Sequence, residues 1–394
     1  MFSFVSLFIK RPQDVFLRKV IFQIHLWIGI AAAIYVALIG LSGAILVFKP
    51  ELYRLNHPKP AIQKMAQGGS IIGAGDALRA ALATQPGKFA SLLLFPRPDE
   101  PYYIVVVGDR LHSKRIDVDP STRKVLLIED PNVGWLSVVT NLHYYLLLPP
   151  RRGLMLNGIG AVALLLLAIS GIVLWWPGVR AWKRGVLIDF SLSFKRITRD
   201  SHSVVGLAAL ALISFWAFSG IYFAWTNQFV AAISAFSRAT EPRTRLHVSS
   251  SRGKPMDLNA LIPIAQKSLP GEMPLAVFMA GSRTTVLMGR KPDMAFGQSD
   301  GVALDGVRGT VLKTVRQSDP RSFGDRVLDL MEPLHFGTQW GLGMKIVYCL
   351  GGLAVSFLAV TGILMYWQRY LQKCWVLTRS PAAASPKREQ VQTP

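Results

Sequence analysis

Cysteine and acidic residues are scarce in this sequence. Only 2 of its 394 residues are cysteines, and there are 23 acidic residues against 44 basic ones. Cys349 lies within an apolar run and Cys374 shortly after it, so the polar segments hold no disulfide framework. The sequence also lacks a Gly-rich nucleotide loop with an acidic partner, and no serine, cysteine or paired-carboxylate arrangement indicates hydrolysis. These absences exclude a disulfide scaffold and argue against a hydrolase or a nucleotide-binding enzyme.

The formal net charge of +21 would indicate nucleic-acid binding in a soluble protein. However, the sequence shows no recognition-helix pattern, no zinc-finger spacing and no interleaving of aromatic and basic residues. The basic residues concentrate instead in short stretches beside long apolar runs, as they do in the cytoplasmic loops of membrane proteins. We therefore expect no nucleic-acid partner, and we expect both termini and the central loop to be cytoplasmic. These basic residues include Lys10, Arg11, Arg18, Lys19, Arg180, Lys183, Arg184, Lys195, Arg196, Arg199, Arg369, Lys373, Arg379, Lys387 and Arg388.

Four apolar runs are long enough to cross a lipid bilayer, which takes about 20 residues in a helix. The first run is long and lacks a small-residue cleavage site, so we interpret it as a retained helix and not as a signal peptide. The chain is thus predicted to be a multi-pass membrane protein with two polar domains outside the cytoplasm. The predicted order is a cytoplasmic N-terminus (1–19), a helix (20–48), a polar domain (49–153), a helix (154–176), a cytoplasmic loop (177–201), a helix (202–225), a polar domain (226–343), a helix (344–367) and a cytoplasmic tail (368–394).

The chain contains an internal duplication. Residues 25–48 and 202–225 each begin with histidine, have glycine four places later, and have Ser-Gly at the seventeenth and eighteenth places after the histidine. Placing Ser170 over Thr361 aligns the second and fourth apolar runs as well. The order of helix, polar domain and helix therefore occurs twice in the same membrane orientation. This arrangement relates equivalent residues by a pseudo-two-fold axis along the membrane normal.

Each polar segment is predicted to fold as a helix on a small antiparallel sheet. Residues 102–107 and 115–128 alternate or run apolar like strands, with a turn at residues 119–122, and residues 301–311 again show a strand, an Asp-containing turn and a strand. Short helices over 75–83 and 257–267 are predicted to be opened by Asp76 and Asp257. The predicted fold class is an α-helical membrane protein with four transmembrane helices in a duplicated arrangement and two extracytoplasmic α+β domains.

Four of the seven histidines occupy equivalent or nearly equivalent positions in the repeat. His25 and His202 lie at the predicted cytoplasmic ends of the first and third helices, where an ionisable group is costly and usually functional. His143 and His335 each end a short amphipathic segment before the second or fourth helix, one residue out of register with each other. The predicted topology puts this second pair on the outer side. The remaining histidines are interpreted as solvated surface residues: His57, His112 and His247.

Two histidines at each membrane face match the ligand set of two bis-imidazole haems. The sequence lacks Cys-x-x-Cys-His, so such haem would be non-covalent haem b. Zinc and copper also bind imidazole, but a closed site usually recruits four ligands, and neither pair has an obvious third. We pair His25 with His202 as axial ligands of an inner haem, and His143 with His335 as those of an outer haem. The alternative for His25 and His202 is contact with lipid headgroups.

Glycines share a helix face with the inner histidines, because a shift of eighteen residues returns a helix almost to its starting direction. Small residues below an imidazole leave room for a flat ligand or for the close approach of another helix. Haem packing and ordinary helix packing therefore both remain open for these residues. They are Gly29 and Gly43 in the first helix, and Gly206 and Gly220 in the third.

Several motifs together resemble the PepSY-associated transmembrane helix family. In chain order they are His25-Leu-Trp-Ile-Gly, Leu41-Ser-Gly-Ala-Ile-Leu-Val-Phe, Val118-Asp119-Pro120, Leu142-His143 and Ile169-Ser-Gly-Ile-Val-Leu-Trp-Trp-Pro. The resemblance extends to about Trp367, and within the family the chain is most similar to iron-regulated inner-membrane proteins of the FoxB type. It implies PepSY-like domains in the periplasm, and two haems held by the four repeat-related histidines. It also implies an activity, the reduction of ferric siderophores.

We interpret the chain as a b-type cytochrome of the bacterial inner membrane, which takes electrons from an unidentified cytoplasmic donor and reduces Fe(III) in a siderophore in the periplasm. Hydroxamate and catecholate ligands hold Fe(III) more tightly than Fe(II), so reduction is a release step. The rival interpretation is a non-enzymatic, membrane-anchored PepSY-type binding or regulatory protein, which would not require the histidines. A transporter of the intact siderophore is disfavoured, because the chain has only four predicted spans and no broken helix with a midplane charge.

Overall fold

A computed structural model describes residues 15–56, 72–108, 112–179, 181–237, 251–292, 294, 299–337 and 340–372. Most of the predicted cytoplasmic N-terminus and tail, as well as His57 and His247, lie outside these residues. The chain divides into two compact units, and the long apolar helices make up most of the first. The first unit comprises Met1–Ala44, Met155–Ile221 and Ile346–Pro394, and the second comprises Ile45–Leu154 and Tyr222–Lys345.

The secondary structure follows the predicted repeat. The helices are α1 (Phe16–Leu46), α2 (Lys49–Asn56), α3 (Ala74–Ala83), α4 (Trp135–Tyr145), α5 (Pro150–Trp175), α6 (Phe194–Ala224), α7 (Thr226–Ser237), α8 (Leu258–Ser268), α9 (Phe323–Phe336) and α10 (Gly341–Tyr366). The strands are β1 (Ala90–Leu94), β2 (Tyr103–Val107), β3 (Lys114–Val118), β4 (Val125–Glu129), β5 (Met273–Ala280), β6 (Arg283–Gly289), β7 (Asp300–Asp305) and β8 (Val311–Val315). A 3-10 turn (Trp182–Gly185) lies between α5 and α6, and a π-helical turn (Trp367–Leu371) continues α10.

Four helices in the described part of the chain, α1, α5, α6 and α10 with its π-helical turn, are long and apolar enough to cross a membrane. The protein is therefore a multi-pass membrane protein, as the sequence predicts. All four helices start earlier than the predicted spans: α1 at Phe16, α5 at Pro150, α6 at Phe194 and α10 at Gly341. A helix can continue past the hydrocarbon when its extra turns carry basic side chains that reach water, as those of Lys19 and Arg199 do. His25 and His202 consequently lie about two turns inside their helices.

Small residues allow the membrane helices to pack closely. The backbones of α1 and α10 meet at Gly40 and Gly352: a Cβ on Gly40 would lie 2.6 Å from the Gly352 carbonyl oxygen, and a Cβ on Gly352 would lie 2.7 Å from the Gly40 oxygen. In α5, Gly160 leaves room for the Tyr35 ring, whose hydroxyl donates to Asn157 Oδ1 at 2.9 Å. The buried core of this unit is Val36, Ala168, Ala209, Ile213, Val355 and Ala359.

The strands of the two polar segments form one eight-stranded antiparallel sheet, in the order β4-β3-β2-β1-β5-β6-β7-β8. The two halves join where β1 pairs with β5, with Leu93 opposite Val277. The sequence predicted a separate small sheet in each segment. As two separate four-stranded sheets, the halves would expose the backbone hydrogen-bonding groups of β1 and of β5 at their edges. The β1–β5 pairing satisfies these groups on both strands.

Helices α3 and α8 pack on this sheet, and their N-termini meet. Asn259 links them, because its Oδ1 accepts from the Gly75 backbone N–H at 2.7 Å and its Nδ2 donates to Asp76 Oδ2 at 3.0 Å. As predicted, Asp257 is the N-cap of α8 and accepts from the Asn259 backbone N–H. The N-cap of α3 is Gly73, whereas Asp76 was predicted to open this helix and lies in its first turn.

The two predicted Asp-containing turns are confirmed as the β3–β4 and β7–β8 connections. Asp119 Oδ1 accepts from the Ser121 backbone N–H at 2.7 Å, and Asp305 Oδ1 accepts from the Val307 backbone N–H at 2.9 Å. The fourth residue after each aspartate has a left-handed backbone, with φ 64° at Arg123 and φ 68° at the equivalent Gly309. The turn therefore has the same backbone shape in both halves, and glycine adopts it without steric cost in the second.

Candidate cofactor sites

The inner pair of histidines is brought together between two membrane helices. His25 lies on α1 and His202 on α6, and their ring centroids are 6.5 Å apart with an angle of 83° between the ring planes. Both side chains are shielded from solvent only in part. The two residues occupy equivalent positions of the repeat, so each half of the chain supplies one imidazole to the same place.

Each inner histidine is contacted by one hydroxyl from another membrane helix. His25 Nδ1 lies 2.8 Å from Ser170 Oγ on α5, and His202 Nδ1 lies 2.8 Å from Thr361 Oγ1 on α10. Ser170 and Thr361 are also equivalent in the repeat, and both are buried. Their hydroxyls, both carried by Cβ, thus give the two imidazoles matching neutral partners.

The inner pair opens onto a cavity of about 1340 Å³ among α1, α5, α6 and α10. Gly29 and Gly206 line this cavity together with the two histidines. Among the described residues, Gly43 and Gly220 are outside its lining, and a Cβ on Gly220 would lie 3.1 Å from Ala161 Cβ. The apolar side chains of the cavity wall include Leu26, Ile30, Ala33, Val36, Leu164, Leu167, Ala168, Leu210, Ile213, Val355, Leu358 and Ala359.

Basic side chains line another part of the same cavity. One of them, Arg18, donates to the Leu174 carbonyl oxygen at 2.5 Å, and Arg369 lies over the Phe22 ring at 4.8 Å. Among the described residues, Asp200 is the one acidic residue of the lining, and it pairs with Arg196 at 2.7 Å. The cavity thus combines apolar walls with a positively charged part that suits the carboxylates of a ligand. The basic residues in its lining are Arg18, Lys19, Lys195, Arg196, Arg199 and Arg369.

The outer pair of histidines is brought together in the second unit. His143 lies in the last turn of α4 and His335 in the last turn of α9, with ring centroids 6.4 Å apart and 59° between the planes. The Phe223 ring lies edge-on to His335 at 5.0 Å. Burial, together with the adjacent His143, lowers the pKa of His335 to about 3. The His335 imidazole is therefore neutral at pH 7, which is the form that binds metals.

Local sequence fixes where the outer histidines stand. A capping box starts α9, in which Ser322 Oγ accepts from the Asp325 backbone N–H and the Asp325 carboxylate accepts from the Ser322 backbone N–H. Gly337 ends α9 in the left-handed conformation, with φ 64°. In the other half, Leu146 and Leu147 adopt left-handed φ values of 53° and 59° after α4. Each histidine thus lies one or two residues before the last residue of its helix, and the left-handed residues that follow end the helix there.

The spacing of both pairs fits two ligands of a single metal atom. An imidazole nitrogen binds a metal at about 2.0–2.1 Å and lies about 1.1 Å from its ring centre, so two imidazoles on opposite sides of one metal have centres about 6.3 Å apart. The two observed separations are 6.5 and 6.4 Å. Within the described residues, no group of three or more His, Cys, Asp and Glu side chains is placed to hold a metal ion. The donor set therefore fits haem, whose ring supplies the other ligands, better than zinc or copper.

The sequence anticipated both pairs of histidines but not their hydroxyl partners. In the sequence, Ser170 and Thr361 are notable only as positions that align two helices, and the repeated Ser/Thr-Gly is the one signal for their role. His112 is exposed, as predicted.

Comparison with known proteins gives the family of the chain. The profile of the PepSY-associated TM region matches residues 22–369, which include most of each membrane helix, the sheet and both histidine pairs. No curated protein matches the chain. A match over most of the sequence establishes family membership, and the chain therefore belongs to the PepSY-associated TM region family.

Proposed function

We propose that this protein is a b-type dihaem protein of the bacterial inner membrane, which passes electrons from the cytoplasm to Fe(III) held in a siderophore and so releases Fe(II) in the periplasm. The observation that carries the proposal is the presence of two histidine pairs. In each pair, one histidine comes from each half of the repeat, and the ring centroids are 6.5 and 6.4 Å apart. Neither a membrane anchor nor a binding module needs such a duplicated arrangement.

The residues of the inner cavity fit haem b. Haem is flat and apolar, carries two propionate carboxylates, and supplies reversible one-electron chemistry when it is bound through two axial imidazoles. His25 and His202 would hold the iron, and the leucine and alanine side chains of the walls would exclude water. Arg18, Lys195 and the other basic side chains of the lining would bind the two carboxylates by charge-assisted hydrogen bonds.

The charge pattern supports a cytoplasmic entry for electrons. Basic residues beside membrane helices favour the cytoplasmic side, and those of the inner cavity lie in the first turns of α1 and α6 and after α10. We infer that an unidentified cytoplasmic donor delivers electrons to the site of His25 and His202. His143 and His335 would then hold the second haem on the periplasmic side, in the same unit as the sheet.

A ferric siderophore is the substrate that this chemistry favours. Hard oxygen ligands such as hydroxamates and catecholates bind Fe(III) much more tightly than Fe(II), so transfer of one electron is sufficient to free the iron. This step needs no nucleophile, general acid or general base in the protein. The resemblance to iron-regulated inner-membrane reductases is the further support for this substrate class.

The absorption spectrum of the purified protein tests the proposal. Protein from haem-sufficient cells should contain about two haems per chain, with a Soret band that shifts on reduction by dithionite. Membrane vesicles should reduce an external ferric siderophore, measured with a chromogenic Fe(II) trap. A colourless preparation would contradict the proposal and would favour a non-enzymatic, membrane-anchored PepSY-type binding or regulatory protein.

A further inference from the structure

The hydroxyls that contact the inner histidines occupy equivalent places in the repeat. Ser170 and Thr361 lie on α5 and α10, and each reaches across to a histidine on another helix at 2.8 Å. The arrangement occurs twice although serine stands in one half and threonine in the other. A hydroxyl at this place is therefore the shared feature of the two halves, whereas the methyl group of threonine is not.

The position of each hydroxyl hydrogen follows from the carbonyl oxygens of its own helix. The longer contacts are Ser170 Oγ to the Leu167 oxygen at 3.2 Å and Thr361 Oγ1 to the Leu358 oxygen at 3.1 Å. Ser170 Oγ lies 2.6 Å from the Leu166 carbonyl oxygen, and Thr361 Oγ1 lies 2.8 Å from the Phe357 carbonyl oxygen. Two oxygen atoms at such distances require a hydrogen between them, and a hydroxyl has only one hydrogen to donate. Each hydroxyl therefore donates to its own helix and can only accept from the histidine.

We infer that Ser170 and Thr361 are positioning residues, which fix His25 and His202 as the Nδ1–H tautomer and leave Nε2 as the metal-binding nitrogen. The inference rests on the proposed function, since it concerns how the inner histidines present themselves to haem. An imidazole whose Nδ1–H is engaged has its ring orientation and its tautomer set before any ligand binds. The helix backbone acts here in two ways. The carbonyl oxygens of Leu166 and Phe357 orient the hydroxyls, and the backbone of Leu167 and of Leu358 also hydrogen-bonds His25 and His202 directly.

The choice of a neutral acceptor has a consequence for the reduction potential. A carboxylate acceptor would make the imidazole more basic and would add a negative charge in the membrane. A hydroxyl acceptor also makes the imidazole more basic, but to a smaller extent and without adding a charge. Removing it makes the imidazole a poorer donor, and Fe(III) loses more from this change than Fe(II). The inner midpoint potential should therefore rise when either hydroxyl is lost.

Substitutions that change only the hydroxyl test this role. Ser170→Ala and Thr361→Val remove the hydroxyl acceptor with little change of shape and leave the backbone partners at Leu167 and Leu358. Ser170→Thr and Thr361→Ser keep the hydroxyl. Thr198→Val is the matched control. Thr198 is a buried threonine on α6, one turn before His202, and its own hydroxyl donates to the Phe194 carbonyl oxygen at 2.9 Å. The readouts are the haem retained after dialysis against apomyoglobin, the midpoint potential from optical redox titration, and the low-spin ferric EPR signal.

We expect Ser170→Ala and Thr361→Val each to weaken retention of the inner haem by about 10- to 100-fold, the range for loss of a partner of a metal-bound histidine. If Fe(III) affinity falls tenfold more than Fe(II) affinity, the inner midpoint potential rises by about 59 mV. Ser170→Thr, Thr361→Ser and Thr198→Val should behave like the wild type. The outer haem of the same molecules reports folding, since its EPR signal should be unchanged in every variant.

The inference is overturned if Ser170→Ala and Thr361→Val match Thr198→Val in retention, potential and EPR signal while the wild type carries two haems. In that case the proposed function would still stand. Wild-type protein without haem would instead overturn the proposed function together with the inference, and this outcome is visible before any variant is made.

Discussion

Single side chains explain why His25 and His202 can lie inside a membrane. An imidazolium in hydrocarbon is costly, and a neutral imidazole still needs a partner for its N–H group. Ser170 and Thr361 supply that partner at 2.8 Å without adding a charge. Because a hydroxyl contacts the imidazole in both halves, the two imidazoles lie at the cavity with equivalent hydrogen-bond partners. Each half supplies only one of the two histidines, so neither half alone completes the site.

The histidines were predictable from sequence, and their partners were not. A histidine repeated at the same place of two apolar runs has few structural explanations, so His25 and His202 stand out without any structure. A serine or threonine in a helix ordinarily satisfies its hydroxyl with the carbonyl four residues earlier, as both Ser170 and Thr361 do. The second contact depends on how two helices are rotated against each other, and this rotation is not encoded in either helix alone.

Replacement of single histidines tests the pairing. His25→Ala and His202→Ala should each lose the same haem, and His143→Ala and His335→Ala should each lose the other, so every single variant retains about half of the wild-type haem per protein. The pyridine haemochrome assay measures this ratio. His112→Ala is the control, because His112 is exposed. Losses that group His25 with His143 would contradict the pairing.

Close crossing of helices brings the inner site together. The α1 and α10 backbones meet at Gly40 and Gly352, and the same two helices bring Thr361 to His202 and His25 to within 6.5 Å of the His202 ring. The sequence predicted that the glycine face would serve either a flat ligand or helix packing, and in the structure these glycines lie in different surroundings. Gly29 and Gly206 line the cavity, whereas Gly220 packs against Ala161.

A methyl group at the crossing should separate the helices. In Gly352→Ala the new Cβ would lie 2.7 Å from the Gly40 carbonyl oxygen, which backbone atoms can relieve only by moving apart. We expect a loss of about 1–3 kcal/mol in the free energy of unfolding. In the same helix, Gly343→Ala is the matched control, because a Cβ there meets no atom within 4 Å. This control should be neutral or stabilised by up to about 1 kcal/mol.

Equilibrium unfolding of the detergent-solubilised variants measures both changes. Equal stability of Gly352→Ala and Gly343→Ala would show that the close approach of α1 and α10 contributes nothing to the packing of the membrane helices.

Glu272, just before β5, gives the sheet a dependence on pH. Burial of its carboxyl group and the adjacent Asp300 raise the pKa of Glu272 to about 7. In an unfolded chain a glutamate has a pKa of about 4.3, so between these values the folded protein binds a proton that the unfolded chain does not. The free energy of unfolding therefore falls as the pH rises from about 4.3 through about 7.

Glu272→Gln removes this titration. The variant should unfold at a higher temperature than the wild type at pH 8, and the difference should shrink at pH 5, where the wild-type carboxyl is already protonated. Thermal unfolding at both pH values measures this. Asp99→Asn, which alters an exposed carboxylate of the first polar segment, is the control for the loss of one negative charge. A Glu272→Gln difference that does not vary with pH would contradict the role of Glu272.

At the scale of the whole molecule, duplication explains most of the fold. The repeat of helix, polar segment and helix, the two Asp-containing turns and the two sheet-packing helices could all be predicted, because each leaves a local pattern in both halves. The joining of the sheets could not be predicted, since the β1–β5 pairing of Leu93 with Val277 depends on two edge strands from distant parts of the chain. Such pairing is favoured by the exposed backbone of both edges and leaves no sequence pattern of its own.

The duplication also makes a prediction about the direction of electron flow. If the inner and outer sites act in series, the site of His25 and His202 receives electrons from the cytoplasmic donor, and the site of His143 and His335 delivers them to the ferric chelate. His335→Ala should then abolish Fe(II) release from an external ferric siderophore, although the inner haem should still be reduced by the donor. His25→Ala should block reduction of the outer haem by the donor, while external dithionite should still reduce it.

Right-side-out membrane vesicles, an impermeant Fe(II) trap and difference spectra distinguish these cases. Two independent or purely structural haems would give additive losses that do not depend on which reductant is used, because neither site would supply electrons to the other. Sites in series give losses that depend on the side from which electrons enter. The same substitution then leaves haem reduction unchanged with one reductant and abolishes it with the other. Equal release of Fe(II) by wild-type and His335→Ala vesicles would exclude the outer site as the point of delivery, and with it the series arrangement.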